Sequence, residues 1–218
     1  MEVQEVNIYL AENRQCIQTE NFRSFTTFLN QNSEIKLASI LKITDNTLSP
    51  QKQHKVISEG IFCIIFLPLI GAFEVGSGNK KMLLNSSEIC YYFVEENDQI
   101  LSENPYENEL INYIEIWVKT AFKPKETSIL KNFDLEFNKN SLIKISNPIG
   151  EIFIGKFDGR TEGYLNNVDN AFVYIINGVF EVNNCLLESR AGLLLKNIEK
   201  IEFEGLGVEN IILFIKQG

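Results

Sequence analysis

Residues 69–75 read LIGAFEV and residues 176–182 read INGVFEV, the same apolar–x–Gly–x–Phe–Glu–Val phrase 107 positions apart. The agreement extends past the seven-residue core. The first copy runs IFCIIFLPLI (61–70), then Gly71, then AFEV, and the second runs AFVYIIN (171–177), then Gly178, then VFEV. Each is a β-rich run, a glycine, and a segment alternating apolar with polar side chains. Two strands meeting at a tight bend read this way, because glycine accepts the positive φ that a β-branched residue resists.

Downstream the copies stay in step. MLLNSSEICYYF (82–93) lies against CLLESRAGLLLK (185–196), so Leu83 and Leu84 match Leu186 and Leu187. The glycine-rich GSGNKK (76–81) makes the first turn longer, where the second copy has only NN. Each half closes with a sheet-like strand, LINYIEIWVK (110–119) and NIILFIK (210–216). Helical periodicity is poor, and many short strands twice over predict an all-β chain of two tandem jelly-roll barrels with little helix. Pro68, inside an apolar strand, predicts a bulge or an edge because it cannot donate to a ladder. The composition of KTAFKPKETSILKNFDLEFNKNSL (119–142) shifts towards Lys, Asn and Pro. We place the boundary there, giving an N-terminal barrel with a leading segment over 1–122 and a C-terminal barrel over 123–218.

The net charge of −9 sits in the first half, where residues 1–118 carry −8 against −1 for the remainder. Such a chain is repelled by phosphate backbones and anionic lipid, which argues against direct nucleic-acid or membrane binding. An acidic face towards a basic protein partner stays open. The longest uncharged apolar run, 61–73, has 13 residues, short of the roughly 20 needed to span a bilayer. No basic-then-apolar leader opens MEVQEVNIYLAENRQ, so the expectation is a cytoplasmic protein. Cys16, Cys63, Cys90 and Cys185 are widely spaced and read as reduced, mostly buried thiols.

The unit around each repeated glycine resembles the cupin barrel, and the whole chain resembles the pirin-like bicupins with their quercetinase-type relatives. The phrases that carry the resemblance are YLAENRQ, NFRSFTTF, LPLIGAFEV and NPYENELINYIEIWVK, then IGKFDGRTEGYL and AFVYIINGVFEVNNCLLESRAGLLL. The resemblance implies tandem cupin barrels. In metal-bearing members the first holds one Fe-type ion on an H-x-H pair, a further His and a Glu. Some members oxidise flavonols such as quercetin with O₂, and pirin is linked to transcriptional regulation.

Counted back from Gly71 on the family's spacing, the H-x-H pair falls near 57 and 59, where the chain has Ile57 and Glu59. The later His and Glu fall around 99–103, which reads QILSE, and the single histidine, His54, misses the register by three residues. A non-haem redox site wants two or three neutral imidazoles with a carboxylate and open positions. One imidazole cannot supply them, so no metal, cofactor or catalytic residue is assigned from the sequence. Catalysis by a Ser–His–Asp or Cys–His pair would have to use that same imidazole.

Further patterns carry little. Six carboxylates in EENDQILSENPYENE (95–109) lack Ca²⁺-loop spacing and read as a solvated acidic loop, and GLGVEN (205–210) reads as a turn. His54, between lysine and glutamine neighbours, reads as a solvated loop residue. The alternative puts it in a barrel pocket with Glu59, Cys63, Tyr91 and Phe93. Alternation sets Tyr91 and Phe93 on one face and Tyr92 on the other. The functional expectation is a metal-free bicupin acting as a non-catalytic binding or regulatory module for an unidentified small molecule or protein. The rival is a quercetinase-like dioxygenase, or another enzyme, working through an unrecognised site.

Overall fold

A computed structural model describes residues 5–29, 40–78, 80–121, 124–147 and 149–217. The chain divides into two compact units, Gln15–Phe133 and Met1–Arg14 with Asp134–Gly218. In chain order, β1 (Glu5–Tyr9) is followed by a single 3-10 turn at Ala11–Asn13. Then come β2 (Gln15–Gln18), β3 (Phe22–Leu29), β4 (Ile40–Leu48), β5 (Gln53–Ile57), β6 (Phe62–Ile70) and β7 (Phe73–Ser77). The 15–133 unit continues with β8 (Lys80–Leu84), β9 (Glu88–Val94), β10 (Gln99–Glu103), β11 (Ile111–Lys119) and β12 (Ser128–Asn132). The remaining strands are β13 (Ile143–Asn147), β14 (Gly150–Phe157), β15 (Thr161–Asn166), β16 (Asn170–Asn177) and β17 (Val179–Val182). They end with β18 (Cys185–Glu188), β19 (Gly192–Lys196), β20 (Lys200–Gly205) and β21 (Asn210–Gln217). No helix among the described residues is long and apolar enough to cross a membrane.

The 15–133 unit is a seven-stranded sheet, β12-β9-β6-β11-β4-β3-β2, with a four-stranded sheet, β5-β10-β7-β8. Between them lies one core, drawing Ile64, Phe66, Tyr92, Tyr113 and Trp117 from the larger sheet and Phe73, Val75, Leu84 and Ile100 from the smaller. The other unit repeats the plan with β1-β19-β16-β21-β14-β13 and β15-β20-β17-β18. Its hydrophobic core is packed with rings, Phe203 meeting Phe157 at 5.0 Å and Phe214 at 5.3 Å. Opposite Phe203 stands Gly163, where a Cβ would come within 2.3 Å of the ring.

The repeated phrase is the same bend twice. Gly71 (φ 74°) and Gly178 (φ 84°) join β6 to β7 and β16 to β17 in the left-handed region. The hairpins that follow pair Phe73 with Leu84 and Phe180 with Leu187. The second closes through Asn183 and Asn184, both at positive φ, a two-residue turn whose twist matches the strands. The ladder of the first extends further, to Ser77 and Lys80. Pro68 lies opposite Tyr113 beside a register shift in the β6–β11 ladder and outside the stretch of β6 that pairs with β9.

Each unit fixes the entry to its last long strand with a buried asparagine. The Asn104 amide donates to the carbonyls of Leu48 (3.0 Å) and Glu109 (2.8 Å). The Asn210 amide donates to those of Phe157 (3.1 Å) and Gly207 (2.9 Å), while its oxygen accepts from the Gly207 and Val179 N–H groups. Leu48 ends β4 and Phe157 ends β14, so the same joint is made twice.

The expected boundary near 123 falls outside the described residues, and the units divide elsewhere. β12 pairs with β9, which keeps the chain in the first barrel to Phe133. The leading segment is shared out: β2 and β3 extend the larger sheet of the 15–133 unit, whereas β1 pairs with β19 from Glu5–Lys196 to Tyr9–Gly192. A division by sequence order cannot represent a first strand whose hydrogen bonds go to the far end of the chain.

Candidate functional site

Two adjacent strands of the smaller sheet in the 15–133 unit decide which side chains face the barrel interior. In the β5–β10 ladder Val56 is opposite Ile100 and His54 opposite Ser102. Val56 and Ile100 belong to the core, and alternation puts His54 and Ser102 on the same face. The inward quartet is therefore His54, Val56, Ile100 and Ser102. Ile57 is 53% exposed on the opposite face, and Glu59 is exposed in the following turn. The register expected for an H-x-H pair at 57 and 59 is thus displaced, and His54 occupies an inward position. Nor is His54 a solvated loop residue: it lies on β5, half-buried, its ring stacked on Phe22 at 3.6 Å and 6°.

The remaining residues grouped with His54 do not join it. Cys63, Tyr91 and Phe93 are buried, but on the face of β6 and β9 opposite to Ile64, Phe66, Tyr92 and Val94, which fill the core. The alternation of Tyr91 and Phe93 against Tyr92 holds, with Tyr92 as the inward member. Cys63 is thus a buried thiol of the sheet's other face. Cys90 is in the core, its Sγ 3.5 Å from Met82 Sδ, and burial pushes its thiol up to about 12.

Across from the quartet, the larger sheet presents a polar ladder inside an apolar core. Asn46 pairs with Tyr113, Thr44 with Glu115, and Lys42 with Trp117. Tyr113 and Trp117 are core residues, so Glu115 between them also points inward, as do its partners on β4. Ser24 and Thr26 of β3 extend the rows beside Asn46 and Thr44. The Trp117 indole donates to Glu115 Oε2 (3.1 Å), and Asn46 Nδ2 donates to Thr44 Oγ1 (3.2 Å). Lys42, half-buried, sets its Nζ 4.4 Å from the centre of the Trp117 ring, a cation–π contact. Tyr113 stacks on Phe73 at 4.3 Å, and its phenol faces Ser102 without closing a normal hydrogen bond.

These groups shift one another. Burial raises the Glu115 carboxyl above its usual range, partly offset by Lys42, the Trp117 donor and Asn46. Burial and then the Lys42 charge lower the His54 imidazole. The Tyr113 phenol rises well above 10, chiefly by burial and then by the charge of Glu115. Sequence reading missed the whole ladder. Its one visible trace was Glu115, an acid in the middle of INYIEIWVK, a strand otherwise apolar on alternate positions.

An ion bound by an H-x-H pair with a further His and a Glu does not fit this interior. One imidazole, two aliphatic side chains and a hydroxyl stand at the inward positions of β5 and β10, and hydroxyls and alkyl groups are poor ligands for such metals. Among the described residues no group of three or more His, Cys, Asp or Glu is placed to hold a metal. In the acidic loop, Glu95 and Asp98 close a turn, the Glu95 N–H donating to Asp98 Oδ2 (2.7 Å). Glu103 belongs to β10 and pairs with Lys81.

The other unit has a surface groove instead, about 800 Å³, over β15, β20 and β17. Glu162, Glu204 and Glu181 stand side by side across those strands, with the exposed Tyr164 in the next row beside Glu202.

Comparison with known proteins places this geometry. No protein-family profile matches the chain, and no curated protein matches it. Solved structures do. YhhW from Escherichia coli superposes with a TM-score of 0.81 at 14% identity over 98% of both chains. A nickel(II) complex of the bacterial pirin YhhW superposes with a TM-score of 0.77 at 13% identity, covering 97% of this chain and 99% of that one. Quercetin 2,3-dioxygenase from Acinetobacter baumannii gives 0.71 at 11% identity over 97% of this chain and 85% of its own. The chain has the two-barrel cupin fold of the pirin-like proteins.

Proposed function

We propose that this chain is a metal-free pirin-like bicupin, a cytoplasmic, non-catalytic module that binds a small molecule inside the 15–133 barrel or a protein partner through its acidic first half. The observation carrying the reading is the inward quartet His54, Val56, Ile100 and Ser102, which leaves one imidazole where the family's metal chemistry calls for three imidazoles and a carboxylate. The polar ladder on β4 and β11 supports a binding role, since buried polar groups in a barrel serve recognition as readily as stability. The net charge of −9 argues against nucleic acid and membrane surfaces.

The test is metal content and turnover of the purified full chain. Substoichiometric transition metal by mass spectrometry, and no O₂-dependent loss of quercetin after loading with Ni²⁺, Fe²⁺, Cu²⁺ or Mn²⁺, is the expected result. A stoichiometric ion together with flavonol turnover would overturn it and establish the rival reading, a quercetinase-like dioxygenase using another ligand set.

A further inference from the structure

Both barrels carry the same row of side chains on the outer face of the smaller sheet, and only one of the two rows is neutralised. In the 15–133 unit the row is Gln53, Glu103, Glu74 and Leu83 across β5, β10, β7 and β8. In the other unit it is Glu162, Glu204, Glu181 and Leu186 across β15, β20, β17 and β18, position for position. The row beside it in the first unit is Lys55, Leu101, Gly76 and Lys81. There the Lys81 ammonium hydrogen-bonds Glu103 and lies 3.9 Å from Glu74, so one cation serves both carboxylates. The second unit has Tyr164 where the first has Lys55, Glu202 for Leu101, and Asn183 and Asn184 for Gly76 and Lys81. Two carboxylates and two lysines thus become four carboxylates and no lysine at matching positions.

Two flanking cations meet part of that charge. Lys200 pairs with Glu202 and sets its Nζ 5.2 Å from the centre of the Tyr164 ring, and Arg160, its side chain 82% exposed, is 3.5 Å from Glu204. Glu162 and Glu181 have no ion-pair or hydrogen-bond partner among the described residues. Like charges directly opposite on neighbouring strands repel, and the ammonium that relieves the repulsion in one repeat is missing from the other. The four carboxylates, Tyr164 and Lys200 all line the groove of about 800 Å³, a volume that suits a small molecule. Lys200 shows that its walls accept an alkylammonium, held between a carboxylate and a ring.

We propose that this groove binds a linear aliphatic diamine or polyamine. One ammonium sits at Glu204 and Glu181, as that of Lys81 sits at Glu103 and Glu74 in the repeat, and the second at Glu162 beside Tyr164. Two carboxylates remain after Lys200 and Arg160 are matched, so a dication completes the balance. Neighbouring strands lie about 4.8 Å apart, which puts β15 and β17 about 10 Å apart, and flexible glutamate side chains close that span onto a short diamine. A divalent metal suits the groove poorly, since it wants oxygens converging on one point. Among the described residues no group of three or more His, Cys, Asp or Glu is so placed. The site lies in the second unit and does not depend on the function proposed for the first.

Full-length protein is titrated by calorimetry with 1,4-diaminobutane and spermidine at fixed ionic strength. Butylamine supplies one charge, 1,4-butanediol none, and Mg²⁺ and trilysine are competing kinds of cation. Saturable binding of both amines is expected, at least about tenfold tighter than butylamine because the second ammonium binds intramolecularly. Glu162→Gln and Tyr164→Lys each copy the other barrel's residue at an exposed position. Each should weaken diamine binding by roughly threefold to fivefold, the worth of an exposed charge contact. Glu74→Gln, in the matching row of the first barrel, should leave it unchanged. No saturable heat with either amine, equal affinity for Mg²⁺, or binding of trilysine alone overturns the proposal. So do folded Glu162→Gln and Tyr164→Lys proteins that bind like the wild type, or an equal loss in Glu74→Gln.

Discussion

Lys42 and Trp117 face each other across β4 and β11 with the ammonium nitrogen 4.4 Å from the ring centre. The pair brings a charge to the interior of the 15–133 barrel, on the strand face that also holds the core residue Tyr113. The same charge reaches His54 on the facing sheet and adds to the burial that lowers its imidazole. The His54 resonance should therefore titrate below 6.5 in native protein. Lys42→Met should move the midpoint upward, though still short of 6.5, since burial is the larger cause. A histidine titration by NMR on both proteins checks this.

Glu115 gives the opposite pH signature. Its carboxyl is raised above 4.5 in the folded state, so between the unfolded and folded values the native protein holds a proton that the unfolded chain has released. The stability it contributes is fully present below about 4.5 and is lost as the pH rises through the folded-state value. Glu115→Gln keeps an acceptor for the Trp117 indole and removes the ionisation. The variant should gain on the wild type as pH rises, by about 1.4 kcal/mol for each unit by which the carboxyl is raised. Urea midpoints at pH 4 and pH 8 measure the difference. Parallel curves for the two proteins would contradict it.

The joint at Asn210 should be worth more than any surface contact. Asn210→Ala leaves the Phe157 and Gly207 carbonyls and the Val179 N–H without their partner, at a cost of roughly 2–4 kcal/mol. Gly178→Ala attacks the same joint from the other side. Its φ of 84° is strained for alanine, and the added Cβ would lie 2.5 Å from Asn210 Oδ1. Both variants should lower the denaturation midpoint, and because they act on one contact the double variant should lose less than their sum.

Thiol reactivity should separate Cys16 from Cys63 and Cys90. Cys16 is exposed on β2, whereas Cys63 and Cys90 are buried, with thiols held high by their apolar surroundings. Only the thiolate is nucleophilic. Iodoacetamide followed by mass spectrometry should modify Cys16 in native protein and reach Cys63 and Cys90 only after denaturant is added.

The repeat made the bends, the hairpins and the two-barrel plan legible, because those depend on local signals: glycine at positive φ, asparagine pairs, alternating apolar positions. The interior of the first barrel was not legible for a different reason. Which face of β5 is inward depends on its pairing with β10, and a one-residue slip exchanges the faces of a strand. Counting from Gly71 chose Ile57 and Glu59, where the ladder selects His54 and Val56. Likewise Lys42 and Trp117 meet only through a pairing between distant segments. Cys63, Tyr91 and Phe93 are apolar-strand residues buried on the sheet's other face, and composition cannot tell one face from the other when both are covered.

The placement of β1 orders events on the ribosome. Residues 5–9 are made long before their partner, residues 192–196. That segment must wait as an unpaired, partly apolar strand until β19 has been made, and β19 keeps a bare edge until the two meet. A fragment starting at residue 134 would carry that edge permanently and should self-associate, whereas one in which residues 1–14 are fused by a linker to that unit should stay monomeric.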